Sequence, residues 1–173
     1  MNGPVLTTDR LVLRPPVLAD LDGWAALMAD PVAARFIGGP QSRTVAWRGL
    51  TSAAGSWAVQ GFGPFSVVER ASGRWIGRIG PWRPEGWPGD EIGWALDRGA
   101  WGRGLAREGA AATMEWARTA LRWREVIHVV HPDNAPSRAL AGRLGSRLLR
   151  LGRLPPPFDA EALEIWGQSL RAG

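Results

Sequence analysis

A glycine-containing turn between a predicted strand and a predicted helix is the most constraining feature of this 173-residue chain. The apolar run 92–96 favours a β-strand, and the amphipathic repeat 105–122 favours an α-helix. Between them, residues 101–106 read Trp-Gly-Arg-Gly-Leu-Ala. The first N–H groups of a helix have no internal partner and attract anions. Because Gly102 and Gly104 let a ligand approach the backbone closely, the turn predicts a phosphate or pyrophosphate site.

Comparison with other phosphate-binding motifs narrows the identity of this site. Arg103 and Arg107 add positive charge beside the turn. A P-loop requires a lysine, and the sequence contains none. A dinucleotide-binding fingerprint is a weak match, because Arg107 occupies the position of its third glycine. Glu125 lies near the expected acidic position of that fingerprint, but it begins an apolar run instead of ending one.

The strand and turn together resemble the acetyl-CoA motif of the GNAT superfamily of N-acyltransferases, whose general pattern is Gln/Arg-x-x-Gly-x-Gly/Ala. Gly104 and Ala106 match this pattern, whereas Trp101 replaces the leading Gln or Arg. The variant Trp-Gly-x-Gly is common in the RimJ/RimL-like branch, which resembles ribosomal-protein N-terminal acetyltransferases. The resemblance implies an acetyl-CoA-dependent enzyme that acetylates a primary amine, either a protein N-terminus or a small molecule.

Three further segments resemble this branch and occur in the expected order. The segment 131–137, continued by Arg143-Leu144-Gly145, is similar to the family's Asn-x-x-Ser…Leu-Gly segment. The opening segment 8–14 and the closing segment 164–167 are also similar to the branch. The resemblance therefore covers nearly the whole chain, and it implies direct attack of the amine on the thioester of acetyl-CoA.

The order of predicted elements indicates an α/β (α+β) fold in one domain spanning residues 1–173. Strands are predicted at 5–14, 65–68, 75–79, 92–96, 126–130 and 162–167, and helices after 18, after Ser42, from 105 to 122 and after Asn134. Pro84 to Gly89 is predicted to be a loop. The family resemblance implies a mixed, mainly antiparallel twisted sheet with helices on both faces and a splayed central strand pair.

Composition excludes several classes of function. The chain has no cysteine, which excludes disulfides, thiolate metal sites and a cysteine nucleophile. His128 and His131 are predicted to point to opposite faces of their strand, so no metal site is expected. The net charge of +5 comes from scattered arginines, which favours a solvated basic surface over a nucleic-acid site. No leader or membrane span is predicted, and a cytoplasmic location is expected.

The resemblance also implies roles for individual residues. Acetyl-CoA inserts between the strands ending at Leu96 and Val130, and a backbone N–H of Ala95 or Leu96 stabilises the oxyanion. Glu91 is the candidate base, with Glu69 and Asp90 as less favoured choices; the alternative for Glu91 is an ordinary structural carboxylate. Ser137 matches the position proposed to protonate the departing thiolate, and its alternative is a helix-capping role. The chain has no tyrosine, which many relatives use as a general acid.

The remaining candidates surround the same sites. The predicted acetyl-CoA contacts are Trp94, Ala95, Leu96, Trp101, Gly102, Arg103, Gly104, Leu105, Ala106, Arg107, Asn134, Ser137 and Arg143. Three tryptophans, Trp82, Trp87 and Trp94, line either the acceptor cleft or the core. Two other functions stay open, a catalytically inactive CoA-binding homologue and a basic module that binds RNA or the ribosome. A homodimer is compatible with eleven tryptophans if several are exposed.

Overall fold

Eight strands form one mixed sheet in the computed structural model, which describes residues 3–170. The strands are β1 (Leu6–Thr7), β2 (Leu11–Arg14), β3 (Phe65–Glu69), β4 (Trp75–Trp82), β5 (Glu91–Leu96), β6 (Glu125–Val130), β7 (Arg147–Gly152) and β8 (Leu163–Ser169). The α-helices are α1 (Leu21–Ala29), α2 (Arg43–Gln60), α3 (Leu105–Thr119) and α4 (Ala135–Arg143). None of the helices within the described residues is both long and apolar enough to cross a membrane.

The sheet has the spatial order β1-β2-β3-β4-β5-β6-β8-β7. Every neighbouring pair is antiparallel except β5 and β6, which run parallel. These two strands share a single register pair, Glu91 with Ile127, and then diverge. The predicted mixed, mainly antiparallel sheet with a splayed central pair is therefore confirmed.

Helix α3 packs against one face of the sheet through its apolar stripe, as its sequence pattern predicts. Gly109 lies so close to strands β2 and β4 that a Cβ there would be 2.7 Å from Ile79 Cδ1. The helix ends at Thr119 and not at Arg122, because the Trp123 N–H returns to the Ala117 carbonyl at 3.1 Å. Arg122 adopts the left-handed conformation (φ 59°) that this C-terminal cap requires. Glycine usually fills that position, so its absence concealed the end of the helix.

The opposite face carries α1 and α2. A separate apolar cluster joins Trp24, Ala25 and Met28 of α1 to α2, with Trp75 of β4 packed against it. Helix α2 begins after Ser42, whose hydroxyl accepts a hydrogen bond from the Val45 N–H at 3.4 Å, as predicted.

One predicted strand was wrong, and one strand was not predicted. The segment 5–14 is a hairpin of β1 and β2 and not one strand, because Thr8 begins a turn and donates its N–H to the Leu11 carbonyl at 2.9 Å. Glu108 of α3 holds this turn by accepting hydrogen bonds from the Thr8 hydroxyl and the Arg10 N–H. Strand β7 was missed because it is an edge strand whose residues are mainly exposed, which leaves no apolar alternation in the sequence.

Candidate active site

The gap between β5 and β6 is bridged by side chains where backbone pairing stops. At the closed end, the Ile127 N–H donates to the Asp90 carbonyl at 2.9 Å. Further along, His128 Nδ1 donates to the Ile92 carbonyl at 2.7 Å, and the Val129 N–H donates to Glu91 Oε1 at 3.4 Å. Side chains thus satisfy backbone groups that a neighbouring strand would otherwise pair.

His128 is a neutral spacer in this gap. Its ring is buried, which lowers its pKa from 6.5 to about 4. Because the Ile92 carbonyl can only accept, Nδ1 carries the proton and Nε2 accepts from the Ser146 hydroxyl at 3.0 Å. The ring also packs on Trp94, with centroids 4.8 Å apart. Both ring nitrogens of His128 are therefore engaged in hydrogen bonds.

The direction of the Asp90 and Ile92 carbonyls shows which backbone groups of β5 face the gap. Both carbonyls point toward β6. The N–H and C=O groups of a strand residue point to the same side, and this side alternates from one residue to the next. The N–H groups of Trp94 and Leu96 therefore also face β6. Pro81 lies opposite Ile92 on β4, where no N–H is required. Of the two predicted oxyanion donors, Leu96 thus faces the gap, whereas the Ala95 N–H faces β4.

The glycine turn begins directly after a 3₁₀ turn at Arg98–Ala100 and leads into α3. Gly102 and Gly104 have φ values of 72° and 77°, in the left-handed region that favours glycine. The Trp101 indole donates to the Leu96 carbonyl at 2.8 Å, so the tryptophan fixes the turn to the end of β5. This contact gives a physical reason for tryptophan at a position where the family pattern has Gln or Arg.

The charged residues around the turn differ in their availability. Arg103 forms an ion pair with Glu69, whereas Arg107 is exposed. Arg10, which the sequence analysis did not select, donates to the Arg103 carbonyl at 2.8 Å and thereby supports the turn. Leu105 is buried in the core, so only its backbone can contact a ligand, and Ala106 is partly buried against the same core.

Helix α4 positions two candidate residues at the other side of the gap. Asn134 Oδ1 accepts from the Ser137 N–H at 3.2 Å and caps the helix. The Ser137 hydroxyl accepts from the Trp94 indole at 3.2 Å, which leaves its own proton available for a second partner. Arg143 lies on the last turn and donates to the Ala139 carbonyl at 3.2 Å within the helix.

A cleft of about 950 Å³ extends from this gap over the face of the sheet that carries α1 and α2. Trp82, Trp87 and Trp94 all line it, together with Trp24 of α1. Glu91 lies at its floor and accepts from the Trp87 indole at 2.5 Å. Burial raises the pKa of Glu91 from 4.5 to about 7, against the opposing effects of the Trp87 and Val129 hydrogen bonds and the charge of Arg78.

The two less favoured base candidates are engaged elsewhere. Glu69 accepts from the Ser72 hydroxyl at 2.7 Å and pairs with Arg103, and these contacts hold its pKa below the usual range. Asp90 pairs with Arg83 at 2.6 Å. Arg78 and Trp24 are cleft residues that the sequence analysis missed. An arginine inside the otherwise apolar run Trp-Ile-Gly-Arg-Ile was the signal that could have identified Arg78.

The raised pKa of Glu91 has a measurable effect on stability. A carboxyl group that is harder to ionise in the folded state destabilises the protein as pH rises from 4.5 through about 7. The shift corresponds to a loss on the order of 3 kcal/mol. The lowered pKa of His128 makes the protein more stable as pH rises toward 6.5, which is the opposite sense. The wild type alone therefore does not isolate the contribution of Glu91. We expect the free energy of unfolding of wild type minus Glu91→Gln to fall across this pH range, measured by urea denaturation; a constant difference would contradict the raised pKa.

Comparison with known proteins gives a consistent family assignment. The sequence model described as "Acetyltransferase (GNAT) domain" matches residues 10–147. A search of curated protein sequences gave no significant match.

Solved structures agree with this match. An acetyltransferase from Agrobacterium tumefaciens is 33% identical with a TM-score of 0.83, over 97% of this chain and 95% of its own. A GNAT-family acetyltransferase from Bacillus anthracis is 19% identical with a TM-score of 0.81, over 96% of this chain and 98% of its own. Mycobacterium smegmatis RimJ in complex with CoA-disulfide is 21% identical with a TM-score of 0.70, over 92% of this chain and 82% of its own. At 19% and 21% identity, the similarity to the Bacillus anthracis and Mycobacterium smegmatis structures shows the fold alone.

Proposed function

We propose, from the premise that this chain belongs to the GNAT acetyltransferase family, that it transfers the acetyl group of acetyl-CoA to a primary amine. One observation carries the proposal. The gap between β5 and β6 has the buried carboxyl of Glu91 on its cleft side and the hydroxyl of Ser137 on its helix side. A thioester held in this gap would have a base near the attacking amine and a proton donor near the departing sulfur.

The described residues fit acetyl-CoA in three places. The glycine turn presents the N-terminus of α3, a helix of 15 residues, to the pyrophosphate. The diverging strands leave backbone N–H groups of β5 unpaired by β6, as an extended pantetheine chain requires. Exposed Arg107 and, at the end of α4, Arg143 are cations suited to the phosphate groups. Mycobacterium smegmatis RimJ has a similar fold and is in complex with CoA-disulfide, which supports the same class of ligand for this chain.

Glu91 would accept the proton of the attacking amine. A base works best when its pKa is close to the working pH, and the pKa of Glu91 is raised to about 7. An α-amine has an ordinary pKa of about 7.7–8.0, so it loses a proton to such a carboxylate more readily than a lysine side chain does. The pKa of Glu91 therefore suits an acceptor that is an α-amine or a similarly weak base.

The remaining steps would use backbone and hydroxyl groups. The N–H of Leu96, or that of Trp94, faces the gap and would stabilise the oxyanion that forms at the acetyl carbonyl, a contribution of roughly 3–4 kcal/mol at comparable sites. Collapse of the tetrahedral species breaks the carbon–sulfur bond and forms the amide. The departing sulfur would take the proton of Ser137, whose hydroxyl already accepts from Trp94; Ser137 would regain a proton from solvent, and Glu91 would release to solvent the proton taken from the amine.

Calorimetric titration of the purified protein with acetyl-CoA, CoA and ATP tests the proposal, followed by a screen of primary amines with thiol release as the readout. We expect micromolar binding of acetyl-CoA, no comparable binding of ATP, and turnover with at least one amine. Binding without turnover of any amine would identify a CoA-binding homologue without this activity. Absence of acetyl-CoA binding would overturn the proposal, and salt-sensitive RNA binding would then be measured.

Ser137→Ala is expected to lower kcat about 10-fold, below the usual range of general acid catalysis, because thiols of pKa near 8.5 leave without full proton transfer. The dissociation constant of acetyl-CoA should stay within about twofold, since Asn134 still caps α4 through the Ser137 N–H. Steady-state kinetics with thiol detection, paired with calorimetry, separates the two effects. An unchanged kcat would assign Ser137 to helix structure alone.

A further inference from the structure

Arg78 of β4 lines the cleft and has no anionic partner among the described residues. Its Nε is buried and has no hydrogen-bond partner, and the guanidinium makes no ion pair within residues 3–170. The guanidinium lies over the ring of Trp24, 5.3 Å from the ring centroid. Burial lowers the pKa of Arg78 and the charge of Glu91 raises it, but arginine stays charged in proteins at neutral pH. Buried donors normally have a partner, so the unpaired Nε of this partly buried arginine indicates a place for an anionic ligand.

The nearby carboxylate that could have served as the partner is already used. Asp20 lies beside this part of the sheet, because Ser66 pairs in register with Arg78 and donates to Asp20 at 2.7 Å. Asp20 also accepts hydrogen bonds from both terminal nitrogens of Arg14, at 2.8 and 2.7 Å, and from the Val17 N–H at 2.9 Å. Its acceptor capacity is therefore directed away from Arg78.

The floor between Arg78 and Glu91 carries little side-chain bulk, and the Glu91 carboxyl lies beside Gly93, with Oε1 3.3 Å from an ideal Cβ there. On neighbouring strands, Arg78 pairs with Ala95, Gly80 pairs with Gly93, and Trp82 pairs with Glu91. The two central glycines have no side chain and both line the cleft. Four residues along the strands place the backbones of Arg78 and Glu91 roughly 13 Å apart, and both residues line the cleft. A small molecule can lie on this floor with one end at each charged residue.

We propose that the acceptor is a primary amine that also carries a carboxylate, with the amine directed to Glu91 and the carboxylate bound by Arg78. The inference rests on the proposed acetyltransferase function. The planar guanidinium fork matches a single carboxylate in bidentate geometry. The other charged cleft residues argue against a dianion such as phosphate. Glu161 bonds to His131 at 2.9 Å, Asp133 is exposed, and Arg35 is held over Phe36 at 4.9 Å.

This recognition would favour free amino-acid-like molecules over protein N-termini. In a peptide the carboxyl next to the terminal amine is an amide, which carries no charge. The Trp24, Trp82 and Trp87 rings provide apolar walls for the carbon skeleton between the two polar ends.

The test compares acceptors in matched pairs. A panel of α-amino acids, β-alanine, 4-aminobutyrate and 6-aminohexanoate is assayed beside the corresponding carboxamides at a single pH, and each kcat/KM is divided by the fraction of neutral amine at that pH. We expect kcat/KM to favour at least one acid over its amide by about 10- to 100-fold, as for a hydrogen bond to a charged group. Arg78→Met should bring this ratio to within about threefold of unity, whereas Arg78→Lys should keep part of it because the charge remains.

Two further measurements separate the inference from a structural role and from the proposed function itself. Arg35→Met, which removes the other cation lining the cleft, should leave the acid-to-amide ratio as in the wild type. The N-acetylated acid should bind the CoA-loaded protein more tightly than the N-acetylated amide in calorimetry, and Arg78→Met should remove that difference. The Arg78→Met variant should also melt at the same temperature as the wild type or higher, because the substitution removes a partly buried charge that has no ion pair among the described residues.

The outcomes are distinct. Turnover of amides or peptides as efficient as that of every acid would overturn the carboxylate inference and leave the acetyltransferase proposal intact. Binding of acetyl-CoA without turnover of any amine, or no binding at all, would overturn the proposed function and the inference with it. A loss of melting temperature in Arg78→Met with an unchanged acid-to-amide ratio would assign Arg78 to fold stability.

Discussion

Gly104→Val is expected to weaken acetyl-CoA binding at least about 100-fold, because two charge-assisted hydrogen bonds to phosphate contribute roughly 1.5–3 kcal/mol each. The proposed site uses the first backbone N–H groups of α3, and Gly104 is the residue that caps this helix. A displaced cap reorients every donor of the first turn at once. Calorimetric titration with acetyl-CoA measures the change directly.

The effect arises from conformation more than from lack of space. A Cβ at Gly104 would meet only Arg10 Nη2, at an ordinary contact distance of 3.5 Å. The φ value of 77°, however, lies in the left-handed region, which β-branched residues strongly disfavour. Valine would therefore shift the turn away from this conformation, at a cost of roughly 1–2 kcal/mol, or retain it under strain.

Gly61→Val provides a matched control. Gly61 ends α2 with φ of 76° and has nothing within 4 Å of an ideal Cβ, so the same substitution introduces the same strain. Both variants should lose a similar free energy of unfolding in urea denaturation, but only Gly104→Val should lose acetyl-CoA binding. If the two variants bind acetyl-CoA equally well, the turn at 101–106 is not the pyrophosphate site.

Local rules explain which parts of the molecule the sequence predicted. The glycine turn, the cap of α2 at Ser42 and the cap of α4 at Asn134 each depend on a few neighbouring residues, and the structure contains all three. The end of α3 depended on Arg122 taking a conformation that glycine usually takes, and no local pattern indicated it.

The cleft was less predictable because its properties arise between distant segments. Glu91 was selected from its position before the strand, but its raised pKa needs the packing of Trp87 and the divergence of β6 around it. His128 has its hydrogen-bond partners 36 residues before it and 18 after it, at Ile92 and Ser146. Arg78 became informative only when the fold showed that no described acidic residue reaches it. Electrostatic environment is a tertiary property, and single-sequence patterns report it poorly.

Glu91→Gln is expected to lower kcat/KM for an α-amine acceptor at pH 7 by at least about 100-fold, the lower range of general base catalysis. Glutamine keeps the size of the side chain and can still accept from the Trp87 indole, but it cannot take a proton. In the wild type, kcat/KM should rise with pH through about 7 as Glu91 ionises. That rise should be absent from the variant, whose rate should follow the ionisation of the amine alone.

The loss of kcat/KM in Glu91→Gln should therefore depend on pH. Above the amine pKa of about 7.7–8.0, most of the substrate is already neutral, so the variant rate should gain roughly 6- to 11-fold over its value at pH 7 and the deficit should narrow severalfold. Glu164→Gln is a control for the loss of a buried strand carboxylate, because Glu164 accepts from a tryptophan indole, Trp166, at 2.7 Å and also pairs with Arg138 of α4 at 3.0 Å. It lies on β8 outside the cleft and should leave the pH profile unchanged.

A loss of kcat/KM of the same size at every pH in Glu91→Gln would argue against proton abstraction, because a purely structural role does not depend on the ionisation of the amine. A similar deficit in Glu164→Gln would point to general destabilisation of the sheet around β6 and β8, since both strands form one side of the gap. A deficit that narrows at high pH in Glu91→Gln alone would instead tie the rate to one proton, carried by the carboxyl group that the diverging strands bury beside the gap.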